Sequence, residues 1–157
     1  MRTLSMLASM LVLFAAPAFG ETPVKLQLIA GSFAAINRST PDVAPVILGG
    51  AAAVRPMPHR LFLRGFGALG VVDPPGKPVF TQLLYGGQLG YNLTRKVSMV
   101  GGAGAITRFR PVGVDNLPTG FFGISFKPSL QSNWSIGFNC LVNSQVIGTG
   151  GQTTRIW

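Results

Sequence analysis

The pattern that most constrains this chain is a two-residue alternation held over stretches too long for ordinary soluble strands. Between Gln82 and Ile106 the sequence reads QLLYGGQLGYNLTRKVSMVGGAGAI, two glycine-laced apolar runs around a polar knot from Asn92 to Lys96. Successive side chains of a strand point to opposite faces. Over 79–92, Val79, Thr81, Leu83, Tyr85, Gly87, Leu89 and Tyr91 share one parity; Phe80, Gln82, Leu84, Gly86, Gln88, Gly90 and Asn92 share the other. Over 97–110, Val97, Met99, Ala103, Ala105 and Phe109 oppose Ser98, Gly102, Gly104, Arg108 and Arg110. One face of each strand is oily, and the question is what it touches.

Turn signals recur along the chain at Asn37–Pro41, Arg55–His59, Asp73–Gly76, Asn92–Lys96, Pro111–Pro118, Pro128–Asn133 and Asn143–Ser144. Seven connections predict eight strands, at 24–36, 45–54, 61–72, 79–92, 97–110, 119–127, 134–142 and 146–157. Most exceed the soluble mode of about five or six residues and match the ~9 to 11 that cross a bilayer at a tilt. The less oily face is the informative one. A water-facing surface calls for Lys, Glu, Asp and Thr, whereas this face carries Gly, Ala, Ser, Gln and Asn with an occasional Phe or Arg, which suits the narrow lumen of a small closed barrel. Charged residues make up only 11% of the chain, about half the usual share for a globular domain. The predicted fold is therefore all-β, an eight-stranded antiparallel up-and-down transmembrane β-barrel with its oily face on lipid.

The N-terminus reads as a cleavable signal peptide over 1–20: Arg2, an apolar run from Leu4 to Ala16, and small residues around Ala18 and Gly20. Its removal takes one of the thirteen basic residues and leaves 21–157 as a single barrel domain of net charge +8. The lone Cys140 excludes an internal disulfide framework.

On this pattern the whole mature chain resembles the small eight-stranded outer-membrane β-barrels of Gram-negative envelopes, of the OmpA transmembrane-domain and OmpX type. The residues that carry the resemblance are the hairpin Leu89–Met99, its weaker echo Phe126–Ile136, and the terminal aromatic Trp157. The resemblance implies an outer-membrane location, contact with outer-membrane lipids and lipopolysaccharide, and engagement of the barrel-assembly machinery through the C-terminal strand. Arg155 departs from the pattern, standing where an apolar residue should alternate with Trp157. The resemblance also implies short turns inside the envelope, holding Arg55, His59, Arg60, Arg95 and Lys96, and longer outer loops holding Asp42, Asp73 and Asp115. The basic turns read as ordinary solvated connections; placed against an anionic leaflet they would gain about 1 kcal/mol per residue. Tyr91, Trp134 and Trp157 are the expected lipid-interface aromatics, and Tyr85 is expected nearer the middle of the membrane.

Candidate chemistry is sparse. Gly65-Phe-Gly-Ala-Leu-Gly70 spells a dinucleotide fingerprint, but Val71-Val-Asp-Pro-Pro75 cannot open the helix that would meet a pyrophosphate, and its glycines read instead as relief of crowding in a curved strand. The single histidine, His59, lies in a turn, the only glutamate is Glu21, and no aspartate is predicted on a strand. A nucleophile–base–carboxylate set or a metal cluster is therefore not expected, and neither is a cofactor. The basic residues are scattered without the interleaved aromatics that stack bases, which argues against nucleic acid. Arg108 and Arg110, inward neighbours near the end of the fifth strand, are the candidate contacts. They read either as salt-bridge partners of Asp73 or Asp115, or as a site for lipopolysaccharide phosphate or another anionic ligand.

The sequence thus predicts a non-enzymatic integral outer-membrane barrel with a side-chain-filled lumen and a structural, adhesive or envelope-integrity role. The alternative is a secreted or periplasmic soluble β-barrel or sandwich binding a hydrophobic ligand or a protein partner.

Overall fold

A computed structural model of the chain describes residues 23–40, 42–110 and 113–156. The signal peptide predicted over 1–20 and the interface aromatic expected at Trp157 lie outside the described residues.

Eight strands follow one another: β1 (Lys25–Asn37), β2 (Val43–Pro56), β3 (Leu61–Val72), β4 (Phe80–Asn92), β5 (Val97–Arg110), β6 (Gly113–Phe126), β7 (Trp134–Val142) and β8 (Val146–Ile156). Each pairs antiparallel with the next, and β8 returns to β1 from Gln27↔Ile156 to Asn37↔Val146, closing the barrel. The departure at Arg155 does not prevent closure. Following one rung of the ladder from Ile36 around all eight strands returns to β1 at Leu26, a shear of ten residues. Eight strands with that shear tilt about 40° from the axis and close at a backbone radius of about 8 Å.

The turns form where the side chains favour them. Thr94 Oγ1 accepts from the Lys96 and Val97 amides at 3.1 and 3.0 Å, which makes the polar knot a tight hydroxyl-capped turn. Asn143 Oδ1 does the same for the Gln145 and Val146 amides between β7 and β8. The connections 57–60, 93–96 and 127–133 share one end of the barrel with the start of β1 and the end of β8, here the terminal end; the described connections 73–79 and 143–145 lie at the far end, as do the end of β1 and the start of β2.

The parity assignments hold along the barrel. Leu26, Leu28, Leu69, Val71, Leu89, Met99, Ile124, Ile136 and Phe138 all point outward and are exposed, Leu69 at 59%. β2 joins them with Ile47 at 70%. The result is a continuous apolar belt far larger than the few hundred Å² a soluble monomer tolerates.

Three expectations change. First, β6 begins at Gly113, so most of the predicted outer loop 111–118 is strand and Asp115 stands on it, facing inward. The prolines there misled the sequence reading: Pro118 lies beyond the first β6–β7 pair, Gly120↔Val142, where one edge of β6 has no ladder to donate to and a proline costs nothing. Pro45 lies likewise just past the first β2–β3 pair, Val46↔Val72. Second, the far-end connections are no longer than those at the terminal end, so loop length does not orient the molecule. Third, the lumen is not mainly small and polar. Ile29, Phe33, Val46, Leu48, Leu84, Ile106, Phe121 and Leu141 turn inward and form an apolar core, with Ile106 only 1% exposed.

Inward glycines make room for that core. A methyl on Gly102 or Gly104 would overlap the Gly87 or Tyr85 carbonyl of the neighbouring strand. Phe62 lies over its rung partner Gly90, covering the backbone that a side chain there would displace. Gly67, by contrast, faces outward into open space, so crowding does not explain that member of the Gly65–Gly70 run.

Candidate functional site: the two mouths of the lumen

The core divides the lumen at its waist. Phe66 and Phe121 meet edge to face with centroids 5.0 Å apart, and only a void of about 40 Å³ remains beside them. Above and below this plug the lumen opens into two cups, about 670 Å³ at the far end and about 710 Å³ at the terminal end. The expectation of a filled lumen holds at the waist and fails at both mouths.

The terminal-end cup is polar and cationic. Lys25, Arg60, Arg95, Lys96 and Lys127 surround it, and Ser98 and Ser125 share a hydrogen bond of 2.8 Å on its wall. Arg55 and Arg155 lie at the same end, Arg155 stacked over the Trp134 ring at 5.4 Å. That contact explains how a cation is tolerated in β8 where an apolar residue was expected. Among the described residues no side-chain carboxylate lies at this end. His59 and Arg60 turn the chain between β2 and β3 with φ of 60° and 64°. Below the plug, Arg64 is buried and donates Nη1–H to Gln88 Oε1 at 3.3 Å, while its Nε finds no acceptor.

The far-end cup holds Arg108 and Arg110. Their strand positions bring both inward, but their surroundings differ. Arg110 pairs with Asp115 at 3.5 Å and lies over the Phe80 ring at 5.6 Å. Lys77 pairs with Asp42 at 3.6 Å on the same rim. Arg108 sits deeper, 7% exposed, and donates Nη1–H to Gln145 Oε1 at 2.9 Å. Its Nε is buried with no acceptor, and no described carboxylate is within ion-pairing distance. Salt bridging thus occupies Arg110 and Asp115, and leaves Arg108 facing the cavity. Gln145, its one hydrogen-bond partner, was not singled out by sequence reasoning. Its only signal was its place beside the Asn143-Ser144 turn.

The expected interface aromatics divide as follows. Tyr91 and Trp134 are exposed on the belt at the terminal end, beside the turns that follow or precede them. Tyr85 lies six residues further along β4, level with Gly67 and Ala105, and its hydroxyl is buried without a partner. Cys140 is a free thiol on the outward face. The described residues contain no group of three or more His, Cys, Asp or Glu placed to hold a metal. His59 is at the opposite end from Asp42, Asp73 and Asp115.

Comparison with solved structures places this architecture. A de novo designed transmembrane β-barrel superposes with a TM-score of 0.56 at 16% identity, covering 88% of this chain and 100% of its own. This is the fold of a transmembrane β-barrel. Ail, the attachment invasion locus protein of Yersinia pestis, matches with the same TM-score at 9% identity, covering 88% of this chain and all of its own. Neisserial surface protein A matches at 0.52 and 13% identity, over 84% of this chain and 96% of its own. No family model matches the sequence, and no curated protein matches it. The likeness to such barrels is therefore one of architecture, carried by closure, strand count and the outward apolar belt.

Proposed function

We propose that the protein is a non-enzymatic integral barrel of a Gram-negative outer membrane, exported by its signal peptide, whose role is structural within the envelope. The observation that carries this reading is the pairing of a closed ladder with an apolar belt around its outside. Outward Leu69, Ile47, Phe122 and Phe138 lie at mid-height, where lipid satisfies them and water does not. The likeness to Ail and neisserial surface protein A, both eight-stranded outer-membrane barrels, supports the same setting. Outer-membrane lipids and lipopolysaccharide are then its surroundings, and the C-terminal strand, whose pairing with β1 closes the barrel, is the segment presented to the assembly machinery.

Within the three roles the sequence admits, the short far-end connections favour a structural one over adhesion, since little of the chain projects past the membrane. The waist plug argues against a conducting pore. In this reading the end that carries the start of β1 and the end of β8 faces the periplasm, where its basic turns are solvated connections. Arg108 and Arg110 are the proposed contacts for an anionic lipid or ligand.

The experiment is fractionation and gel migration of the expressed protein. Recovery in the detergent-extracted envelope, with faster migration before boiling than after it, is the expected result. Recovery as a soluble periplasmic monomer without detergent would overturn the proposal in favour of a soluble ligand-binding barrel.

A further inference from the structure

The far-end cup joins an apolar floor to a buried cation. Phe33, Leu48, Leu84, Ile106 and Leu141 line its lower wall, and Arg108 enters from β5 just above them. The other rim ion pairs are satisfied internally, Arg110 by Asp115 and Lys77 by Asp42. At this mouth, and among the described residues, Arg108 combines deep burial with a guanidinium whose hydrogen bond goes to a neutral amide and whose Nε has no acceptor; Arg64, the other such guanidinium, lies on the opposite side of the plug. A guanidinium withdrawn from water is stabilised by an anion that accepts from two of its N–H groups at once. The surface beneath it is suited to hydrocarbon.

We propose that this cup binds an anionic single-chain amphiphile, its head on Arg108 and its chain packed against Leu48, Leu84 and Ile106 down to the Phe66–Phe121 plug. The volume of about 670 Å³ falls in the range of small-molecule sites. A barrel of about 8 Å backbone radius, narrowed by inward side chains, admits one chain and not the paired chains of a phospholipid. The inference deepens the proposed function by naming the ligand class at Arg108, and it rests on that assignment of the anion contact. A carboxylate head and a monoester phosphate head would use the same guanidinium, so fatty acids and lysophospholipids are the two sources to separate.

The test uses the full mature protein folded in phosphatidylcholine nanodiscs, with binding of decanoate, of 1-decanoyl lysophosphatidic acid and of decanol measured by equilibrium dialysis against protein-free discs. At least one of the two anions should bind saturably at one per barrel and at least tenfold more tightly than decanol. The stronger of the two identifies the head chemistry. Arg108→Gln should bring the anion down to the level of decanol, Arg108→Lys should keep most of the preference, and Leu84→Trp, which fills the floor, should abolish saturable binding of all three. Absence of saturable anion binding, equal affinity for decanol, or unchanged anion affinity in Arg108→Gln would overturn the inference. Each variant is first checked for heat-modifiable migration. A folded membrane barrel that binds neither anion refutes only this inference, whereas a detergent-independent soluble protein refutes the proposed function.

Discussion

Replacing Phe122 with arginine separates a lipid-facing belt from a water-facing one. Phe122 is 52% exposed on the outward face of β6, paired with Gly101 and Cys140. It stands four residues from the Phe126 end of its strand. At about 3.3 Å per residue and a tilt of about 40°, that is about 10 Å along the barrel axis, close to the midplane of the hydrocarbon layer. An arginine at that depth costs about 2–4 kcal/mol, whereas near an interface it costs about 0–1. Tyr91, one residue from the end of β4 and equally outward, supplies the interface comparison. Phe122→Arg should thus lose about 2–3 kcal/mol more than Tyr91→Arg, a roughly 30- to 160-fold greater shift in the folding equilibrium. Reversible denaturant titration in phosphatidylcholine vesicles, followed by tryptophan fluorescence and gel migration, measures both. On a soluble barrel the two sites would be ordinary solvent-exposed surface, where arginine is neutral or improves solubility. Equal costs for the two variants, or a Phe122→Arg protein that needs no detergent, would refute the belt assignment.

Two further perturbations address the lumen. Gln88→Leu removes the one hydrogen-bond acceptor of buried Arg64 among the described residues and should cost about 1–3 kcal/mol in the same titration, while adding Arg64→Met should recover most of it; additive losses in the double variant would mean the two residues do not interact. Gly104→Val forces a branched side chain onto the Tyr85 carbonyl and should prevent formation of the heat-modifiable band, whereas Gly101→Val, one strand face away and open to the outside, should leave it intact; equal yields would refute the close backbone approach at Gly104.

Parity and turn chemistry made most of the barrel legible. β3, β5 and β7 have the predicted limits because each is bounded by a turn with its own side-chain cap or by Pro and Gly, and alternation within them is unbroken. The predicted β6 starts too late because Pro118 reads as a stop, and the edge that excuses Pro118 exists only once β7 is known to end at Val142. The same limit hid the salt bridge between Arg110 and Asp115, since the predicted loop placed the acid off the sheet. Arg108 and Arg110 were identifiable as an inward pair. Their different partners were not, because Gln145 reaches Arg108 from β7–β8 across the mouth, a contact set by closure and shear. Nor is every lumen-facing position free to take a charge. Gln88 is lumen-facing but lies against Arg64, so a second guanidinium there would meet the first.

An apolar lumen beneath an apolar belt raises a question of specification. Where one face is wet, a one-residue slip of register exposes the hydrophobic set, and the penalty fixes the pairing. Here both faces of β2 are oily, Ile47 outward and Val46 and Leu48 inward, so hydrophobicity alone distinguishes the two registers weakly. Volume does what polarity does not. Gly50, Gly86, Gly102, Gly104 and Gly150 all face inward against neighbouring backbone, and a slip would bring Leu83, Tyr85, Ala103 or Ala105 to those crowded positions. The buried polar residues add a second constraint, since Arg64 must meet Gln88 and Arg108 must meet Gln145 to keep their hydrogen bonds. Register in this barrel is therefore held by steric fit and a few polar pairs inside the lumen, while the outer belt sets only the depth at which the cylinder sits in lipid.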